Sequence, residues 1–145
     1  MFNPTRNQAR QLFFDTWQKY QSKESLSGME VIALDVILQH PEYHFMLQDT
    51  KRYLDKDFPP EQGEINPFLH MSMHVAIQEQ LAINQPIGIL QRFTRLKNVL
   101  QGDEHEAMHR TMDCLAEMLW QSQRNQSTPN ADFYLECIDK QLKSK

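Results

Sequence analysis

The chain is poor in the residues that break or staple a small fold. It has only 4 glycines and 2 cysteines in 145 residues, which excludes a collagen-like or low-complexity chain and a disulfide scaffold. Cys114 and Cys137 stand at neither Cys-x-x-Cys nor zinc-ribbon spacing, and both are expected as reduced helix cysteines of a cytosolic chain. Long apolar runs are missing too. None approaches the roughly 20 residues a membrane helix needs. Asn, Arg, Gln and Asp interrupt the stretch from Met1 to Asp15, which therefore lacks the apolar centre of a secretory signal. The expected location is the cytoplasm, with no membrane partner. Positive charge is not in excess either. The net charge is −4, with Lys and Arg scattered among Asp and Glu, so nothing argues for nucleic acid. Strand signals are almost absent, because apolar residues recur at three- and four-residue spacing.

What is present is a 40% hydrophobic chain, long enough to bury a core without a metal staple. The pattern predicts one all-α domain over residues 1–145. It should be a helical bundle of about five to seven mostly antiparallel helices, with a loop near 55–65 and a turn near 126–130. Asn3-Pro4 reads as a cap and first position of a helix running to about Gln21, with Leu12, Phe13, Trp17 and Tyr20 inward. A second helix is expected from Met29 to Gln39. Pro41 ends it, because proline drives the preceding His40 out of the helical region, and a shorter helix should run on to about Leu54. Asn66-Pro67 repeats the opening device for a helix to about Asn84, and Pro86 opens one ending near Gly102. Asp103 caps a long helix to about Asn125, and a last helix carries Phe133, Leu135, Ile138 and Leu142.

The most informative residues are the histidines. All 6 fall into His-x-x-x-His pairs: His40 and His44, His70 and His74, His105 and His109. Random placement would give well under one such pair. Residues four apart on a helix share a face, so two imidazoles can converge on one ion. Each pair also touches an apolar stripe. His70 and His74 continue as Ile77 and Leu81, His105 and His109 as Met112, Ala116 and Leu119, and Met29, Ala33, Val36 and Ile37 lead to His40. Two short connections make the His70 and His105 helices run the same way, which predicts both pairs at one end of the bundle. His40 closes the second helix, and its end joins the same cluster if that helix runs opposite to the His70 helix; for His40 with His44 the same-face argument fails, since Pro41 lies between them.

His105-Glu106-Ala107-Met108-His109 matches the zincin signature, in which a glutamate activates a metal-bound water. No strands accompany it, and Glu106 has a plainer expected role as the capping-box partner of Asp103. Glu106 and Asp113 are nevertheless candidate carboxylate ligands, in the manner of di-iron bundles. Glu79 lies across its helix from His70 and His74 and is excluded as their co-ligand.

The segments Leu38-Gln39-His40-Pro41-Glu42-Tyr43-His44, Asn66-Pro67-Phe68-Leu69-His70 and His105-Glu106-Ala107-Met108-His109, with Cys114-Leu115-Ala116-Glu117-Met118-Leu119-Trp120, resemble a proteobacterial family of uncharacterised helical proteins. It is catalogued as domain of unknown function 1841. The resemblance covers nearly the whole chain and implies a bacterial, cytoplasmic, helical protein. It brings no catalytic residue.

The leading expectation is a metal-binding bundle holding one or two zinc or iron ions, since imidazole suits both. The alternative is a helical interaction module whose histidines form a metal-free network, and a zincin-like hydrolase stands third. Whether the protein is an enzyme, what its substrate or protein partner is, and whether it forms a homo-oligomer stay open at this level.

Overall fold

A computed structural model of the chain describes residues 6–58 and 66–144. The expected Asn3-Pro4 cap and residues 59–65 of the expected loop lie outside these. Among the described residues the protein is all-α, with eight helices and no strand. They are α1 (Arg6–Gln21), α2 (Met29–Leu38), α3 (His44–Leu47), α4 (Thr50–Tyr53), α5 (Pro67–Ile83), α6 (Ile89–Val99), α7 (Glu104–Arg124) and α8 (Ala131–Ser144), with a 3-10 turn at Pro41–Tyr43. By its contacts the chain divides into two compact units, Met1–Val75 and Ala76–Lys145.

The caps explain where most helices begin. Asn66 accepts the backbone N–H groups of Phe68 and Leu69 at 3.0 and 3.1 Å, two donors that the first turn of α5 cannot satisfy internally. Asp103 accepts the N–H of Glu106 at 3.0 Å and starts α7. The single helix expected between Pro41 and Leu54 is corrected to three short pieces. His40 (φ −128°) and Asp49 (φ −132°) both leave the helical region, and Asp49 caps a fresh start by accepting from Arg52 N–H. The helix expected to open at Pro86 begins instead at Ile89. Gly88 takes a φ of 99° that a side chain would resist, and the Asn84 side-chain Oδ1 accepts from the N–H groups of Gly88 and Leu90.

The first unit is built on α1 and α2. Its buried core includes Phe13, Phe14 and Trp17 of α1, Ala33, Val36 and Ile37 of α2, and Phe68, Met71 and Val75 of α5. Arg10 is buried within it, at 2% exposure. Its guanidinium donates to the carbonyls of Tyr53, Leu54 and Lys56 at 3.0, 3.0 and 2.7 Å and lies 4.7 Å from the Phe68 ring centre. One side chain thus satisfies the carbonyls left open where α4 ends and ties them to α1.

In the second unit α6, α7 and α8 pack together, with Ile89, Phe93, Leu96, Leu115 and Ile138 buried. The buried Tyr134 hydroxyl donates to Gln80 at 2.7 Å, and burial pushes its pKa up. Arg92 pairs with Asp139 through both guanidinium branches, at 3.0 and 3.4 Å.

The expectation of reduced cysteines is corrected here. Cys114 of α7 and Cys137 of α8 form a disulfide across a Cα separation of 5.6 Å. The short turn between the two helices folds them back on one another, which brings residues 23 apart in sequence into register. Closing such a loop removes freedom from the unfolded chain worth about 3 kcal/mol. Reduced wild type, and the double variant Cys114→Ala with Cys137→Ala, should therefore unfold about 3 kcal/mol more easily than the oxidised protein in urea titration. Equal stability of oxidised and reduced protein would remove the disulfide from the architecture.

Candidate metal centre

The apolar stripe of α2 runs through Ala33, Val36 and Ile37, all fully buried. The next position on that stripe is His40, 3% exposed. Because Pro41 ends α2, His40 sits at the junction before the 3-10 turn, not within a helix. His70 and His74 lie one turn apart near the start of α5, and His74 is fully buried. The two elements bring three imidazoles together edge to edge. Nε2 of His40 is 3.0 Å from Nε2 of His74, which is 3.2 Å from Nε2 of His70. The ring centres of each pair are 4.8 Å apart, and each ring has a ligand atom within 4.8 Å of the others.

The tautomer of His40 follows from its other edge. Nδ1 lies 2.8 Å from Oε2 of Glu42. Burial works against the charge of this carboxylate, but hydrogen bonds from His40 and from the backbone, together with the electrostatic attraction of His40 and His70, hold the Glu42 carboxyl below its usual range. An ionised carboxylate can only accept, so Nδ1 of His40 carries the hydrogen. In the neutral ring Nε2 is then a bare lone pair facing the other two histidines. Tyr43 stacks on the His40 ring at 5.3 Å, and burial followed by the nearby Glu42 charge raises the pKa of its hydroxyl.

Three Nε2 atoms at one point are difficult to satisfy with hydrogen atoms alone. One N–H on His74 can serve only one of its two short contacts well. Three lone pairs turned toward one cation satisfy all three Nε2 atoms. Nitrogen atoms bound tetrahedrally at 2.0–2.1 Å lie about 3.3 Å from one another, close to the spacings here.

His44 does not share the cluster with His40. Its Nε2–H donates to the carbonyl of Ile37 at 2.8 Å, and its ring packs against Trp17 at 4.3 Å, so Pro41 has divided the pair. His105 and His109, in the second unit, stand edge to face at 4.2 Å, with His105 exposed and His109 half-buried. Glu106 is not the reciprocal partner of a capping box. Its backbone N–H meets Asp103, but its carboxylate accepts from Arg110 Nε at 3.1 Å. Asp113 is exposed. Sequence reasoning overlooked Glu42. The signal was a carboxylate two residues beyond a histidine with a proline between them, where the chain must turn.

His44 should therefore act in folding and not in ligation. His44→Ala removes one partly buried hydrogen bond and one ring contact and should cost about 1–3 kcal/mol in chemical denaturation, with the metal content of wild type. Glu106→Gln and Glu106→Ala should each shift stability by less than about 1 kcal/mol, because the cap uses the Glu106 backbone N–H and the Arg110 pair is only partly buried. A loss of bound metal in any of the three would contradict these assignments.

No curated protein matches the chain, and no solved structure does. Residues 5–140 match the family described as Domain of unknown function (DUF1841). With that match over nearly its whole length, the chain belongs to the DUF1841 family.

Proposed function

We propose that the protein binds a transition metal ion through Nε2 of His40, His70 and His74. The observation that carries this reading is the meeting of three Nε2 atoms at 3.0 and 3.2 Å, one of them already committed as a lone pair by Glu42. The arrangement of carboxylate, histidine and ion is the usual way a protein orients a metal-binding imidazole. Three such donors leave a coordination position for water or a further ligand, which is where any chemistry would begin. The competing reading is a helical interaction protein whose histidines form a metal-free network. The exposed Phe45, Ile83 and Ile87 favour it as apolar contact points, at 63%, 65% and 76% exposure. The hydrolase reading of the His105 motif has no such support, since Glu106 is engaged by Arg110.

The cytoplasmic location rests on the sequence alone, and the disulfide is its natural test. Trapping thiols in intact cells should find Cys114 and Cys137 reduced if the chain works there.

Protein purified without a histidine tag should retain about one metal ion per chain by elemental analysis. A chelator at neutral pH should remove it and lower the melting temperature, and His74→Ala should abolish binding. A folded, metal-free preparation with no thermal response to zinc, iron or manganese would overturn the proposal. The same measurement on His105→Ala and His109→Ala tests the sequence-based expectation that the α7 pair joins the other histidines. Metal content equal to wild type in both would remove that pair from the site.

A further inference from the structure

The donors say more than that a metal binds. Among the described residues, no carboxylate and no thiolate belongs to the group in which the three histidines stand. Glu42 is an acidic partner of His40, and it approaches from the wrong side to be a ligand. Its oxygen lies on Nδ1 of His40, and Nδ1 and Nε2 open toward different edges of the ring. While that bond holds, the Glu42 charge is set one imidazole back from the ion.

We propose that this is a mononuclear, imidazole-only centre for a zinc-class divalent cation, in which Glu42 fixes the Nδ1–H tautomer of His40 and keeps its Nε2 lone pair on the ion. The proposal rests on the metal-binding reading above and narrows it in three respects. First, neutral nitrogen donors favour zinc and its neighbours cobalt, nickel and copper. Magnesium, calcium and manganese need carboxylate, carbonyl or water oxygens. Second, a di-iron centre of the carboxylate type requires acidic side chains among its ligands, and the group supplies none. Third, Glu42 is a positioning residue and not a ligand. Its removal weakens the site without emptying it.

Glu42 is well suited to substitution, because its side chain is 56% exposed and holds no part of the core. Glu42→Gln retains an oxygen that accepts from Nδ1–H, so it keeps the tautomer and loses only the charge. Glu42→Ala frees the ring to rotate or to move its hydrogen to Nε2.

The experiment uses full-length protein stripped of metal and dialysed anaerobically against equimolar zinc, iron(II), manganese and magnesium. Competition titrations then give the zinc affinities of wild type and the two Glu42 variants. Wild type should retain one zinc per chain and essentially no manganese or magnesium. Glu42→Ala should bind zinc 10–100-fold more weakly, and Glu42→Gln should fall between it and wild type. With cobalt(II) as the spectroscopic probe, wild type and Glu42→Gln should share the visible bands of a tetrahedral site, and Glu42→Ala should shift them. A merely structural Glu42 would leave those bands alone. Retention of iron or manganese in preference to zinc, a stoichiometry of two, or unchanged zinc affinity and cobalt spectrum in Glu42→Ala would overturn the inference while leaving metal binding intact. Failure of every metal to bind wild type would instead overturn the underlying reading.

Discussion

The proline after His40 is the constraint on which the candidate site depends. Proline cannot extend α2 and disfavours helical geometry in the residue before it. His40 therefore takes a φ of −128° at the end of a buried apolar stripe. Three consequences follow within four residues. The His40 ring faces His74 and His70, where its stripe leads. The turn brings Glu42 back onto Nδ1 at 2.8 Å. The same turn swings His44 away, onto the Ile37 carbonyl and the Trp17 ring. Had α2 continued, His40 and His44 would share one helical face, and neither the carboxylate contact nor the separation of their roles would arise.

Burying polar rings among Phe, Val and Ile is costly unless every ring nitrogen is occupied. His40 and His44 answer this demand in two different ways. His44 is satisfied by backbone, as a structural histidine should be. His40 is satisfied on one edge by Glu42 and turns its other edge to His74, which also meets His70. Arg10 provides the support beneath. By holding three carbonyls after α4, it anchors the short helices that follow the histidine turn to α1.

The second unit is held by a different set of interactions. A disulfide joins α7 to α8, a two-branched ion pair joins α6 to α8, and the buried Tyr134 hydroxyl ties α8 to Gln80. Each links elements distant in sequence. The unit also carries the zincin-like motif. Glu106 is one helical turn from Arg110, and an i,i+4 pair is the commonplace outcome for opposite charges so spaced.

The sequence by itself determined the helices and the histidine pattern. Apolar spacing of three and four, the Asn66 and Asp103 caps and the Pro41 stop are local signals, legible because each acts within one or two turns of chain. The all-α class followed from them. So did the pairing of His70 with His74, which needs only helical geometry. Only the tertiary structure decided the rest. That His40 meets His74 across 34 positions of sequence, that His44 does not, that Arg10 is buried, and that Cys114 reaches Cys137 all depend on how elements pack. Glu42 went unread because its role is fixed by the direction in which the chain leaves a proline. No local propensity sets these outcomes: they arise from burying apolar stripes against one another, which positions the polar groups between them as a consequence.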